Sequence, residues 1–432
     1  MQKKVNLSTL IVTLVCGVLI TFLLTFAVTF TIYQVSLKSL EKNGGGEMSE
    51  EMEVFSSIAE LYEQLPEGQK NLEMFTKLAS IDLYYRMHYA REINEEEMIY
   101  YMINGYIAGL GDMHGEYYTR DDFQSLITQT EGNSVGIGVY VNQDIETGNI
   151  KILTVMNNSP ALEAGLKKGD LISAVDGKRV SEIGYYEALQ GVAGKENTKV
   201  TLTISRNGTE FNVSVTRRLV ETETVYYHKY ALDSKVGVVR VLEFNNTTPA
   251  QFKTAVSTLL NEQGCEALIF DMRGNPGGTL DSALEILDYL ISDGLLVQVT
   301  DGQGNVVEEH YTKDKGEIDV PMAVLTDGNT ASAGELFTCA LRDYNKAVII
   351  GTKTYGKGSM QSLIGLKDGT GLRFTTYLYN PPKTPNYDGI GITPDVVVEL
   401  DKELENKNYF EITDQEDNQL KSAYEALLNK DK

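Results

Sequence analysis

Two segments of the chain carry side chains that could make and break an acyl bond. The first is Thr330-Ala331-Ser332-Ala333-Gly334-Glu335, which follows the apolar run Met322 to Thr326. It opens a helix marked by Leu336, Phe337, Ala340 and Leu341. Small neighbours leave room for a substrate at Ser332, and a helix N-terminus supplies N–H donors and a positive field. Taken alone, a Ser at a helix start reads as an N-cap. The second segment is Gly351 to Gln361, GTKTYGKGSMQ. It nearly matches the phosphate loop G-x-x-x-x-G-K-[ST], but Gly358 stands where the magnesium-binding hydroxyl belongs, and no helix pattern follows. Nucleotide binding is disfavoured on both counts.

A serine mechanism needs a base. The four His (His88, His114, His228 and His310) lie in no triad-like motif. A Lys can serve instead if desolvation lowers its pKa enough to leave it neutral. Lys357 sits between glycines in a loop fed by the buried run Ala347 to Gly351. It would take the proton of Ser332, and Ser332 would attack an acyl carbon. A third segment, Leu268 to Gly278, ends a buried strand in an R-G-N-P-G-G turn. Backbone N–H groups of such a turn can face an anion or a developing oxyanion.

The elements that must position these groups read as α/β. From about Tyr226 to Leu400 the apolar runs VGVVRV, ALIFDM, MAVLTDG, AVIIG and RFTTYLY alternate with helical stretches. Runs this apolar are buried on both faces. Before them, Gly132 to Thr222 reads as short strands with two small helices, one started by Ser159-Pro160 and one near Ile183 to Leu189. Asn207-Gly208 marks a hairpin turn. Val54 to Leu126 is helical in pattern, clearest over Leu72 to Met87 and Glu96 to Leu110, and GDMHGEYYT follows as a turn-rich loop. The charged stretch Leu404 to Lys432 reads as helix.

One local extreme stands apart. Leu10 to Tyr33 is uncharged and exceeds the about 20 residues that cross a bilayer. Lys3 and Lys4 precede it, which favours a cytoplasmic N-terminus and an extracytoplasmic body. The run is longer than the h-region of a cleaved signal peptide, so an uncleaved anchor is expected. Over the 432 residues, 38 Lys plus Arg face 61 Asp plus Glu, a net charge of −23. That balance argues against nucleic acid. Of three Cys, Cys16 falls in the apolar run, and Cys265 and Cys339 are expected to be buried free thiols.

Val135-Gly136-Ile137-Gly138-Val139 reads as the opening of a strand. Without a third Gly and a following helix it is no dinucleotide site. Free N–H groups beside an open strand edge suit a peptide's terminal carboxylate, with the peptide added as a strand. Together with Ser159 to Val180, SPALEAGLKKGDLISAVDGKRV, this resembles a PDZ domain.

With D-M-R-G-N-P-G-G, T-A-S-A-G-E, G-T-K-T-Y-G-K-G-S-M-Q and G-I-G-I-T-P-D in this order and spacing, the chain resembles the carboxyl-terminal processing peptidases, tail-specific serine endopeptidases. The resemblance covers about Val54 to Leu400. It implies a Ser–Lys dyad assisted by Gln: Ser332 as nucleophile, Lys357 as general base, and Gln361 orienting the Lys. It further implies Gly278 and Ala333 as oxyanion donors, and Gly136, Ile137, Gly138 and Val139 as the PDZ carboxylate loop. No cofactor and no metal are implied. The expected partners are proteins with exposed apolar C-termini, the membrane through residues 10–33, and a second copy of the chain. Two departures stand out: Gln190 occupies a PDZ-helix position where the family often has Arg, and GDMHGEYYT replaces the family's G-D-P-x-S.

The expected architecture is an α/β and α+β multidomain chain: tail 1–9, transmembrane helix 10–33, linker 34–53, helical segment 54–131, PDZ domain 132–222, peptidase core 223–400 and C-terminal helix 401–432. The expected function is membrane-anchored peptide-bond hydrolysis outside the cytoplasm. A PDZ scaffold without turnover is the alternative.

Overall fold

The apolar runs Val236–Val241, Ala267–Asp271, Met322–Thr326 and Ala347–Gly351 pair in parallel, in that order. Val225–Lys229 joins antiparallel at one edge, and Val396–Val397 joins in parallel at the other. Both faces are covered, which is why the runs show no polar alternation. Helices Thr248–Ser257, Leu280–Leu290 and Ala333–Asp343 pack on one face, around Phe244, Phe252, Phe270 and Phe337. Burying each such ring contributes about 1.5–3 kcal/mol. Leu420, Ala423 and Leu427 of helix Asn418–Asn429 cover the other face.

The structure, a computed structural model, describes residues 72–313 and 318–429. They divide into two units, Met1–Ile93 and Asn94–Lys432. In the first, helix Leu72–His88 exposes Phe75, Ile81, Tyr84 and Tyr85. The expected transmembrane run, with its tail and linker, lies outside the described residues. No helix among the described residues is long and apolar enough to cross a membrane.

The second unit carries a further sheet beside the parallel one. Glu116–Tyr118, Gly371–Asn380, Leu295–Thr300 and Val306–Tyr311 lie side by side, and Ser359–Gly365 also pairs with Gly371–Asn380. Glu116–Tyr118 falls in the expected loop GDMHGEYYT. It is a strand because Gly371–Arg373 supplies its partner, a tertiary cause invisible in a three-residue pattern.

Residues 133–221 form the small β-rich domain. Strands Val139–Gln143, Ile150–Val155, Leu171–Val175, Lys199–Arg206 and Thr209–Thr216 make one sheet in that order. The hairpin turns at Asn207 and Gly208, both at positive φ. The single strand expected from Val135 is instead two. Asn133–Gly136 pairs with Arg218–Glu221, and Val139–Gln143 pairs with Ile150–Val155. The chain breaks between them because Gly138 takes φ +76°, and a Cβ there would lie 2.3 Å from Ser159 Cβ.

The helix expected over Leu404 to Lys432 is confined, among the described residues, to Asn418–Asn429. The stretch before it is a strap of turns with one short 3-10 helix, Tyr409–Glu411. Phe410 packs against Tyr140 and Tyr226, and Glu411 pairs with Lys151. Behind the strap, buried Arg273 binds Asp271, Asp417 and Gln419. Burial opposes ionisation of Asp271, but Arg240 and Arg273 outweigh it and hold its carboxyl well below the usual carboxylate range. The strap thus ties the β-rich domain to the turn that follows strand Ala267–Asp271.

Candidate active site

Three loops meet at the carboxyl ends of neighbouring parallel strands, where open α/β sheets place their ligands. The turn Met272 to Gly278 follows Ala267–Asp271, the segment Asp327 to Ser332 follows Met322–Thr326, and the loop Thr352 to Gly358 follows Ala347–Gly351. Hydrogen bonds stitch the first two together. Ala331 N–H donates to Asn275 O at 2.9 Å, Thr330 Oγ1 to Met272 O at 2.8 Å, and Gly274 N–H to Asp327 Oδ1 at 2.9 Å.

Ser332 precedes helix Ala333–Asp343 with φ 55° and ψ −119°. Such a conformation costs a non-glycine residue about 1–3 kcal/mol and persists only where its surroundings impose it. Here the imposition is visible. Ser332 N–H donates to Glu335 Oε2 at 2.9 Å, and Glu335 also accepts from Thr354 Oγ1 at 2.5 Å and from the N–H groups of Gly356 and Lys357 at 2.8 Å each. One buried carboxylate therefore fixes the backbone of both Ser332 and Lys357. Burial pushes that carboxyl up, while its four donors pull it back. The Ser332 hydroxyl lies 2.8 Å from Tyr379 Oη.

Lys357 lines the same cleft, and among the described residues its ammonium makes no hydrogen bond or ion pair. Burial first, then the Arg373 guanidinium, push its pKa below the usual lysine value; Asp112 and Asp388 pull the other way. No hydrogen bond joins Lys357 Nζ to Ser332 Oγ.

Gln361 lines the cleft too, but its carboxamide donates to Ser359 Oγ at 3.1 Å and to Ser359 O and Thr375 Oγ1 at 3.3 Å, not to Lys357. The reason is strand pairing: Thr375 is its cross-strand partner, next to a register shift at Met360/Gln361.

Gly278 and Ala333 complete the cleft, whose volume is about 600 Å3. Among the described residues neither N–H has a hydrogen-bond partner. Gly278 has φ +142°, and a Cβ there would lie 2.0 Å from Phe244 O. Only glycine fits this turn.

In the β-rich domain, Ile137 is buried, its carbonyl accepts from Ala161 N–H at 2.8 Å, and that of Gly138 accepts from Met156 N–H at 3.0 Å. The N–H groups of Ile137 and Gly138 make no hydrogen bond among the described residues. Strand Val139–Gln143 is an edge of its sheet. Val139 and Val141 share a core with Ala188, Leu189 and Val192 of helix Tyr185–Val192. Cys265 and Cys339 are both free and buried.

Glu335 and Tyr379 are the site neighbours that sequence reasoning missed. Ser332-x-x-Glu335 does carry the capping-box pattern, a signal for the first. Nothing in the strand pattern of RFTTYLY shows that Tyr379 reaches Ser332.

Comparison with known proteins defines the class. Residues 235–398 match peptidase family S41, and residues 131–216 match a PDZ domain. A carboxy-terminal-processing protease of Bartonella bacilliformis is 33% identical over 331 residues, covering 75% of each chain. A probable CtpA-like serine protease of Staphylococcus aureus is 34% identical over 317 residues, covering 73% of this chain and 62% of its own. A putative S41 protease from Bacteroides fragilis shares the fold, with TM-score 0.50 and 20% identity, covering 68% of this chain and 83% of that one. The molecule is a serine-type peptidase with a PDZ domain. The chain belongs to the carboxyl-terminal processing peptidases of family S41.

Proposed function

We propose that this peptidase reads the free C-terminus of a protein substrate through its PDZ domain and cuts a nearby peptide bond, with Ser332 as nucleophile and Lys357 as general base. The observation that carries this is one cleft holding a strained Ser, a Lys with a lowered pKa and, among the described residues, no partner for its amine, and two N–H groups that likewise have no partner among the described residues. The Ser332 proton passes to Lys357 Nζ as Oγ bonds the carbonyl carbon. The carbonyl electron pair moves onto oxygen, facing the N–H groups of Gly278 and Ala333. Lys357 returns the proton to the leaving amine, the C–N bond breaks, and water repeats the sequence on the acyl-enzyme.

This chemistry requires Lys357 to close on Ser332, and Gln361 to turn from Ser359 and Thr375 if it is to orient the Lys. The unjoined pair also favours the other reading, a PDZ scaffold without turnover. Cleavage of a peptide by the wild-type chain excludes that reading. Gly278→Ala keeps the N–H, but its Cβ would lie 2.0 Å from Phe244 O, so the turn must shift and carry the donor out of place. The kcat is expected to fall by about 10²-fold or more, with a lowered thermal transition. Steady-state kinetics on the folded variant checks this.

Recognition of the tail is tested separately. A reporter protein with an apolar tail should be cut about 10- to 100-fold faster than the same protein with its terminal carboxylate amidated, because charge-assisted bonds to the loop Gly136 to Val139 are lost. Equal rates would remove C-terminal recognition from the account. The reading places residues 10–33 in the membrane and residues 54–131, 132–222 and 223–400 outside the cytoplasm. The uncharged run after Lys3 and Lys4 supports this. The exposed Phe75, Ile81, Tyr84 and Tyr85 of helix Leu72–His88 suit a second copy of the chain.

A further inference from the structure

Tyr379 sits where the two proposed catalytic segments touch. The residue is 4% exposed and its ring meets Tyr387 edge-on, with centroids 6.1 Å apart. Its backbone is fixed on strand Gly371–Asn380, opposite Val299, and its N–H donates to Gly358 O at 3.1 Å. Its hydroxyl lies 2.8 Å from Ser332 Oγ and 2.9 Å from the Lys357 carbonyl oxygen, and the Tyr387 hydroxyl is a further hydrogen-bond neighbour.

Proton counting limits what these contacts can be. A phenol has one proton, and a carbonyl can only accept. With the phenol proton on Lys357 O, Tyr379 Oη must accept the Ser332 hydroxyl. With the phenol proton on Ser332 Oγ, the Ser332 proton is free to point elsewhere. The two arrangements exchange by rotation of hydroxyl groups alone, with no heavy atom displaced.

We propose that Tyr379 is a further catalytic residue of this peptidase: it holds the Ser332 hydroxyl at rest and donates its hydrogen bond to Oγ when Lys357 removes the Ser332 proton. The inference rests on the Ser332–Lys357 reading and adds a third group to it. A buried donor aimed at the oxygen on which negative charge develops stabilises that charge, because it needs no reorganisation at the moment of reaction. The phenol remains a donor throughout, since burial raises its pKa well above the ordinary tyrosine value. Glu335, Asp388 and Tyr387 are the titratable groups that act on it. Lys357 contributes its carbonyl, and its amine is the proton acceptor. The Tyr379 proton is never transferred, so the acyl-transfer balance is unchanged.

Tyr379→Phe removes one oxygen from a ring whose packing stays filled. The expected result is a fall in kcat of about 10- to 100-fold with KM within about twofold, less than the loss of a full oxyanion donor. Unchanged kcat overturns the proposal. A role in packing alone is separated by placing 3,5-difluorotyrosine at 379, which keeps the shape and makes the phenol more acidic. The variant should then lose activity at alkaline pH where the wild-type rate stays level, because its donor ionises sooner. A rate for the variant that stays level over the same range overturns the proposal, and this variant carries the test alone should Tyr379→Phe not fold. Ser332→Ala is run beside both. If it keeps wild-type turnover, the dyad itself has failed, and that outcome is read from Ser332→Ala and not from Tyr379.

Discussion

Ser332→Ala is expected to lower peptide turnover by about 10⁴- to 10⁶-fold, with the thermal transition nearly unchanged. The size follows from what is removed. The hydroxyl is the only group of that residue that could bond to a substrate carbon. The strain in its backbone is imposed by Glu335 and by the stitched turn at Asn275, neither of which uses Oγ. Alanine at 332 therefore keeps the fold and the N–H groups at Gly278 and Ala333, and deletes the nucleophile. What remains is the rate those donors and substrate binding sustain. Steady-state hydrolysis of a C-terminal peptide, with a melting curve on the same sample, checks both halves.

Lys357→Met is expected to cost about 10⁴-fold or more in kcat, again with the fold retained. Methionine keeps an unbranched side chain of similar bulk in the cleft and removes the amine. Among the described residues that amine supports no hydrogen bond, so its loss leaves no partner stranded. The Lys357 N–H that anchors the loop to Glu335 is backbone and survives the change. The pH dependence of the wild-type enzyme belongs to the same expectation. A base must be neutral, so activity rises as pH climbs through the Lys357 pKa and then levels. Burial and Arg373 place that pKa below the usual 10.5, against the opposing pull of Asp112 and Asp388. The rise should thus come below the pH at which an exposed lysine titrates, and Lys357→Met should show no such rise in its residual rate.

Much of this site was legible because its parts are local. A buried strand ending in a glycine turn is visible at Leu268 to Gly278, and a Ser among small residues is visible at Thr330 to Glu335. The parallel core was legible because both-face burial writes continuous apolar runs. The illegible parts depend on contacts between distant segments. Glu116–Tyr118 is a strand only through Gly371–Arg373. Gln361 turns to Thr375 because an adjacent strand pairs with it there. Tyr379 reads as one more strand aromatic until the sheet folds it over Ser332. The break at Ile137–Gly138 is not visible in the sequence, because an apolar run through glycines looks continuous and only the fold sets Gly138 at φ +76° beside Ser159. The helix expected before Asn418 is replaced by a strap whose Tyr409, Phe410 and Glu411 are spent on partners elsewhere, and tertiary contacts override helix propensity.

Ser332 Oγ is the atom expected to carry the acyl group. Treatment of the wild-type protein with a fluorophosphonate, followed by peptide mapping of the adduct by mass spectrometry, tests this. A single adduct on Ser332 is expected, with loss of peptide cleavage in step and no adduct in Ser332→Ala. Cleavage that persists after complete labelling of Ser332, or stoichiometric labelling of another residue with loss of cleavage, would contradict it.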